Sequence, residues 1–184
     1  MQERKAEGRK SWDMGLDYDR TYHQILGGLE ELRGRRTITA RRKLAYCCVL
    51  LTQLRNGSRV SEAVDAVLEW CSTRKREVEV TVRKQRNSAE KRNMVIPKQL
   101  MEQDRLDVLA LKDWLPQDPS RIEHFARRSF GWNTHSLRYA KVSQLGSLGY
   151  PAQVIARVTH HRKLDFILRY TQQKLADQVL RKVD

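Results

Sequence analysis

Residues 44 to 54 constrain the fold of this chain more than any other segment. The segment reads Leu-Ala-Tyr-Cys-Cys-Val-Leu-Leu-Thr-Gln-Leu, so apolar side chains occur at nearly every position rather than along one stripe. A helix that is apolar on nearly all sides lies in the core of a protein. Thr37 or Thr39 is expected to cap this helix, and Asn56-Gly57 to end it. We therefore place the segment at the centre of the core.

Helical spacing also marks the segments on both sides of this one. A first helix is predicted from Tyr18 to the stop at Gly34, and a short helix is predicted to begin at Ser61. After Pro97, helical signals dominate and are interrupted by Pro and Gly. The predicted helices there cover residues 98–113, 121–130, 135–148, 152–159, 163–170 and 172–182.

One segment alternates between apolar and polar residues instead. Val78, Val80 and Val82 are separated by polar residues, as in a half-exposed strand. A polar connection over 85–91 leads to a second apolar stretch, Met94 to Ile96, which completes an antiparallel hairpin with basic residues at its tip. The predicted fold class is therefore α+β: mostly helical, with a small antiparallel sheet.

The charge of the chain points to an anionic partner. There are 36 Lys and Arg residues against 22 Asp and Glu, which gives a formal charge of +14. Nucleic acid or an anionic membrane surface is expected to bind such a chain. No apolar stretch is long enough to cross a bilayer and no signal peptide is recognisable, so we expect a cytoplasmic protein without a membrane partner. Its three cysteines are expected to be reduced core residues.

Three short motifs stand out from this background. They are Gly57-Ser-Arg59-Val-Ser-Glu62, then His135-Ser-Leu-Arg138, and then His160-His161 followed by Tyr170. Each motif alone is weak, because an Arg, His or Tyr in a basic chain is usually an ordinary surface or packing residue. Arg138 precedes His161 by 23 positions, and His161 precedes Tyr170 by nine. The order and spacing together carry the signal.

In that order and spacing the motifs resemble the tyrosine recombinase family, which includes phage integrases and Xer-like proteins. The resemblance covers about residues 38–182 and implies the family's catalytic-domain fold. Residues 1–17 are then a flexible lead-in or a linker remnant, and residues 18–184 form the catalytic domain. One departure is the sequence Thr159-His160-His161, where the family often has Leu-Gly-His.

The resemblance implies a role for each matching residue. Arg59 and Arg138 are the two catalytic arginines, Glu62 supports Arg59, and Tyr170 is the nucleophile. The other implied catalytic residues are His135, His161 and a hairpin lysine, for which Lys84 fits best and Lys91 is the alternative. The implied activity is site-specific DNA recombination through a covalent 3′-phosphotyrosyl intermediate.

The chemistry of these side chains agrees with that implication. Phosphodiester transfer builds negative charge on nonbridging oxygens, and two guanidiniums suit a preorganised clamp for it. His135 is the candidate to accept the phenolic proton, and Lys84 the candidate to protonate the leaving 5′ oxygen. His161 is expected to donate a further hydrogen bond to the phosphate. The implied reaction needs neither metal nor cofactor.

Two other functions fit part of the pattern. A type IB topoisomerase uses similar side chains to relax supercoils, and a non-catalytic helical DNA-binding module would explain the charge. The expected partner of a recombinase is double-stranded DNA, on which it forms a homotetramer although it is monomeric when free. Residues 172–184 then form a helix that packs either on a neighbouring protomer or on its own domain. The resemblance is consistent with a recombinase that a virus or a plasmid encodes.

Overall fold

The computed structural model describes residues 13–82, 90–111, 119–161, 164–165 and 167–168. Within these residues the chain forms seven helices and one two-stranded sheet, which confirms the predicted α+β class. In chain order the elements are α1 (Tyr18–Leu32), α2 (Ile38–Asn56), α3 (Val60–Thr73), β1 (Glu77–Thr81), β2 (Lys91–Val95), α4 (Glu102–Leu109), α5 (Ser120–Phe130), α6 (Thr134–Ser147) and α7 (Ala152–Thr159).

Helix α2 is the centre of the core, as its sequence predicts. It packs against α1, α3, α4 and α6, and all of its residues from Cys47 to Leu54 are buried. Of the two candidate caps, Thr37 is the one that is used, since its Oγ1 accepts a hydrogen bond from the backbone N–H of Ala40 at 3.2 Å. The helix ends at Gly57, whose φ of +57° lies in the left-handed region that favours glycine.

Gly57 also permits a close approach between α2 and α7. A Cβ atom at this position would lie 2.8 Å from Cγ2 of Thr159 and 3.0 Å from Cγ of Lys141. The first distance is shorter than Cβ contacts in proteins and the second is unusually tight, so a side chain here would require its neighbours to shift. The contact brings the end of α7 against the end of α2, beside the first of the three motifs.

The hairpin pairs β1 with β2 in antiparallel register, with Val78 opposite Met94 and Val80 opposite Arg92. The predicted alternation is confirmed, because Val78, Val80 and Val82 are all buried. The second strand begins at Lys91, earlier than Met94, because ladder pairing continues down to Thr81 and Lys91. Residues 83–89, which contain most of the predicted connection, lie outside the described residues.

The other helices follow their predicted positions closely, with one exception. The helix predicted to begin at residue 98 begins at Glu102, because residues 97–100 form a turn closed by a hydrogen bond from Leu100 N–H to Pro97 O. The predicted short helix at Ser61 begins at Val60 and runs for 14 residues. The helix predicted over 172–182 lies outside the described residues, as does most of 163–170, of which 164–165 and 167–168 are helical.

Two further predictions concern single features of the described residues. Cys47, Cys48 and Cys71 are buried in the core, and none of them forms a disulfide within the described residues. Burial raises the pKa of Cys47 to about 12, which keeps this thiol protonated and unreactive. In the described part of the chain, none of the helices has the length and apolar content that a bilayer span requires.

Candidate active site

The first motif places Arg59 at the start of α3. Arg59 is the N-cap residue of this helix, and Glu62 lies in its first turn with none of its surface exposed. One carboxylate oxygen of Glu62 accepts from Nη1 of Arg59 at 2.8 Å, and the other accepts from the Arg59 backbone N–H at 3.2 Å. The buried carboxylate therefore fixes the guanidinium of Arg59, whose side chain is still 29% exposed.

Glu62 holds a second arginine, Arg92 of β2, which the sequence motifs did not single out. Nη1 of Arg92 donates to Glu62 at 3.1 Å, and Nη2 donates to the backbone carbonyls of Asn56 at 2.9 Å and Val158 at 3.0 Å. The Arg92 side chain is only 2% exposed. It thus connects β2 with α3, the end of α2 and the end of α7.

A sequence signal for Arg92 exists in the strand alternation. Arg92 stands two positions before Met94, on the face of β2 that points into the core. A buried arginine needs a buried acceptor, because an unpaired charge is strongly unfavourable there. The identity of that acceptor, 30 positions earlier in the chain, follows only from the fold.

The second and third motifs meet through Arg138. Its Nε donates to Nε2 of His161 at 3.0 Å, and its Nη2 donates to the backbone carbonyl of His160 at 3.0 Å. Arg138 is 4% exposed, and burial together with the positive charge of Arg59 lowers its pKa to about 10. The guanidinium remains a cation at neutral pH, close enough to Arg59 for their charges to interact.

His161 is held as a neutral ring by Thr159. The hydroxyl of Thr159 donates to the carbonyl of Ile155 at 2.7 Å, so at 2.7 Å from Nδ1 of His161 it acts as an acceptor. This arrangement puts the ring proton on Nδ1 and leaves the lone pair of Nε2 for Arg138. Burial and the charge of Arg138 lower the His161 pKa to about 3. In this geometry Nε2 accepts a hydrogen bond and orients Arg138.

His160 has a backbone conformation that usually favours glycine. Its φ is +52°, in the left-handed region, where it forms the C-cap of α7. A residue with a Cβ atom adopts this conformation at some cost. The imidazole contacts Glu90 at 3.2 Å, while the carbonyl accepts from Arg138. The left-handed backbone of His160 therefore accompanies the contact between its carbonyl and Arg138.

The central motif brings His135 to the same region. Asn133 caps α6 by accepting from the Ser136 backbone N–H, and Gln53 of α2 donates to the carbonyl of Thr134 at 2.9 Å. The exposed His135 side chain borders a cavity of about 300 Å³. The same cavity is lined by Arg59, with Val60, Ser61, Pro119 and Glu123 among its other walls.

Arg138 has one further hydrogen-bond donor, Nη1, besides the two nitrogens that contact His161 and His160. Its Nη1 is buried and has no hydrogen-bond partner among the described residues. A buried donor without an acceptor costs free energy, which an anionic oxygen could recover. Arg59 and His135 line the open cavity, and the charge of the buried Arg138 interacts with that of Arg59. Chemically, this cluster can hold a phosphate group.

Lys84 and Tyr170 lie outside the described residues. Lys91, the alternative lysine, lies in β2 rather than in the connection, and its ammonium is 2.6 Å from the carboxylate of Glu79. That contact raises the pKa of Lys91. Among the described residues no group of three or more His, Cys, Asp or Glu side chains could hold a metal ion.

Fold and site together define an α+β domain with an arginine cluster suited to a phosphate group. This chain is 32% identical to “Uncharacterized protein MJ0770” of Methanocaldococcus jannaschii, over 94% of the chain and 89% of the relative. It is also 32% identical to “Putative integrase ORF241” of Acidianus two-tailed virus, over 97% of the chain and 71% of the relative. The chain belongs to the same protein family as these two proteins.

A further relative is “Putative integrase V10” of Sputnik virophage. It is 26% identical to this chain, over 92% of the chain and 89% of the relative. No model of a known protein family matches the chain. No solved structure gives a significant match.

Proposed function

We propose that this protein is a DNA integrase that acts as a tyrosine recombinase. Two relatives that cover most of the chain carry the integrase name. The three motifs supply the residue types that phosphodiester transfer requires. The net charge of +14 suits a double-stranded DNA substrate, which attracts clusters of Lys and Arg through its phosphates.

The observation that carries this proposal is the pair of fixed guanidiniums. Arg59 is held by the buried carboxylate of Glu62, and Arg138 is held by His161 and by the backbone of His160. Donors that are fixed before the substrate arrives need no reorganisation as charge develops, which is the main source of electrostatic catalysis. Nη1 of Arg138, which has no hydrogen-bond partner among the described residues, is the donor that a nonbridging phosphate oxygen would engage.

In the proposed reaction, the phenolic oxygen of Tyr170 attacks the scissile phosphorus. A bond forms between that oxygen and phosphorus, and the bond between phosphorus and the 5′ oxygen breaks. His135 takes the phenolic proton, and a lysine gives a proton to the leaving 5′ oxygen. The products are a 3′-phosphotyrosyl bond and a free 5′ hydroxyl. A 5′ hydroxyl of another strand then reverses the step and joins the new partners.

Lys84 is the better candidate for this general acid. Lys91 already forms an ion pair with Glu79, and that hydrogen bond raises its pKa, which makes it a poorer proton donor. Lys91 also lies on the exposed face of β2, whereas its neighbour Arg92 faces the buried network around Glu62.

The assembly on DNA is part of the same proposal. We expect a homotetramer on two duplexes and a monomer in the absence of DNA, with residues 172–184 either contacting a neighbouring protomer or folding back. Deletion of residues 174–184 tests the first of these arrangements. It should abolish cooperative assembly in a gel-shift titration, and unchanged cooperativity would contradict it. The viral origin of two relatives is consistent with a virus-encoded recombinase.

The decisive test is the covalent intermediate. The protein is incubated with a nicked suicide substrate that carries candidate attachment sites and is then run on a denaturing gel. Wild type should give a protein–DNA adduct, and Tyr170→Phe should give none. Tyr150→Phe, which alters a tyrosine that is half exposed, is the matched control and should retain the adduct. An adduct that persists in Tyr170→Phe would contradict the assigned nucleophile.

A second assay separates the recombinase from a topoisomerase. Both enzymes form the same kind of tyrosyl bond, but only a recombinase joins strands from two different duplexes. Two labelled duplexes that carry attachment sites should therefore yield a recombinant product. Relaxation of a supercoiled plasmid without any such product would favour the topoisomerase.

A further inference from the structure

A second cavity, of about 430 Å³, lies where the end of α2, strand β2, α6 and α7 meet. It shares none of its lining residues with the cavity that Arg59 and His135 border. Its walls include five side chains that can carry positive charge, and no Asp or Glu lines it in the part of the chain that the structure describes. Those five side chains are Arg55, Arg92, Lys141, Arg157 and His160.

Two of these side chains could interact with a further anion. Nε of Arg92 is buried and has no hydrogen-bond partner within the described ranges. Burial and the charge of Arg55 lower the pKa of Lys141 to about 8. The unpaired Nε of Arg92 and the buried charge of Lys141 both cost free energy. An anion in the cavity would accept from the donor and offset the repulsion between the cations.

We propose that this cavity binds a second phosphate group of the DNA substrate, apart from the scissile one. The inference rests on the proposed function, because it takes DNA as the substrate. A phosphate group is the ligand that a cluster of guanidinium and ammonium side chains binds best. The side chains of Arg55 and Arg157 are exposed at the cavity, so a backbone phosphate can reach it without leaving the duplex.

The position of Arg92 favours DNA over a free phosphate ion. This residue lines the second cavity, and its guanidinium also contacts the carboxylate that holds Arg59. One buried ion network therefore supports both phosphate sites. A strand whose scissile phosphate lies at Arg59 would be anchored at a second point, which fixes its register as phosphate contacts generally do.

The test is the salt dependence of DNA binding, measured by fluorescence anisotropy on a labelled duplex. The variant Arg55→Gln with Arg157→Gln removes two cations from the cavity. The control Arg35→Gln with Arg36→Gln removes the same charge from exposed residues before the other end of α2. The 19 residues of α2 separate the two pairs by about 28 Å, at about 1.5 Å per residue.

Loss of one phosphate contact should reduce the slope of log affinity against log salt by about 0.9 in the cavity variant. The control should keep the wild-type slope. Equal slopes in the cavity variant and the control would overturn the proposal. A thermal-shift assay with inorganic phosphate tests whether the cavity binds a free phosphate ion rather than a DNA phosphate. If phosphate stabilised wild type more than the cavity variant while the DNA slope was unchanged, the cavity would bind free phosphate instead.

The covalent-adduct assay distinguishes failure of this inference from failure of the proposed function. A wild-type protein that forms the Tyr170 adduct but shows no change of slope in the cavity variant would refute only the second phosphate site. A protein that shows the change of slope but forms no adduct would refute only the recombinase reaction.

Discussion

The substitution Glu62→Gln tests whether one buried carboxylate holds the arginine cluster together. Glu62 is fully buried and accepts three hydrogen bonds, two from Arg59 and one from Arg92. Glutamine has nearly the same shape but carries no charge and turns one acceptor into a donor. The amide nitrogen would then face a guanidinium or a backbone N–H. Arg92, only 2% exposed, would lose its charged partner.

The size of the effect follows from the burial of the pair. Removal of one partner from a buried ion pair costs about 3 to 5 kcal/mol, because the remaining charge is uncompensated. Glutamine retains one oxygen, so we expect the lower end, about 3 kcal/mol. With a urea m-value of about 3 kcal/mol/M, at the upper end for small proteins, the unfolding midpoint should fall by about 1 M. A folded protein of ordinary stability survives such a loss.

The assay is urea unfolding followed by circular dichroism, with Glu69→Gln as the matched control. Glu69 lies on the same helix but is exposed, so its substitution should change stability by less than about 0.5 kcal/mol. A double-mutant cycle with Arg92→Met then tests the cause. If the unpaired charge of Arg92 causes the loss, the double variant should lose about 1 to 3 kcal/mol less than the sum of the single variants.

Two results would refute this reasoning. A Glu62→Gln midpoint equal to that of Glu69→Gln would mean that the carboxylate contributes no more than an exposed one. Additive losses of stability in the double-mutant cycle would mean that Glu62 and Arg92 do not stabilise each other, although their side chains lie 3.1 Å apart.

Three further predictions test the geometry around α7. Thr159→Val should cost about 1 to 3 kcal/mol in urea unfolding because it leaves the Nδ1–H of His161 without an acceptor, whereas Thr73→Val, at an exposed hydroxyl, should cost less than about 0.5 kcal/mol. The unfolded chain protonates His161 near pH 6.5 but the native site resists protonation down to about pH 3, so native stability should fall as pH drops from 6.5 towards 3. His161→Gln should flatten that part of the stability profile, and an unchanged profile would contradict the lowered pKa. Gly57→Ala should cost more than about 1 kcal/mol because of its positive φ and the 2.8 Å approach to Thr159, whereas Gly27→Ala, in open space, should be stabilising; equal effects in thermal unfolding would argue against the close approach.

The sequence was sufficient to predict the elements that depend on local patterns. The apolar run of α2, the valine alternation of β1 and the breaks at Gly and Pro follow from periodicity and backbone restrictions. The spacing of the motifs also identified residues that the fold brings together. Arg138 contacts His161, and Arg59 lines one cavity with His135 although they are 76 positions apart in the chain.

Long-range partners could not be predicted in the same way. Arg92 reaches Glu62 across 30 positions and Val158 across 66, and periodicity contains no information on which buried acceptors meet. The acceptor role of His161 Nε2 depends on Thr159, whose hydroxyl is positioned by the last turn of α7. These contacts decide which way Arg138 is oriented, and they appear only once α7 is packed against α2 and the hairpin.

The central claim is that Arg138 stabilises negative charge on a nonbridging oxygen of the scissile phosphate. The most direct test compares Arg138→Ala with wild type in single-turnover cleavage of two suicide substrates. One substrate carries the natural phosphodiester and the other a neutral methylphosphonate at the scissile position. On the phosphodiester we expect Arg138→Ala to be about 10²- to 10³-fold slower than wild type. The methylphosphonate has a neutral methyl group in place of one nonbridging oxygen, so its transition state carries one negative charge less, and most of that difference should disappear. An equal loss on both substrates would contradict the claim.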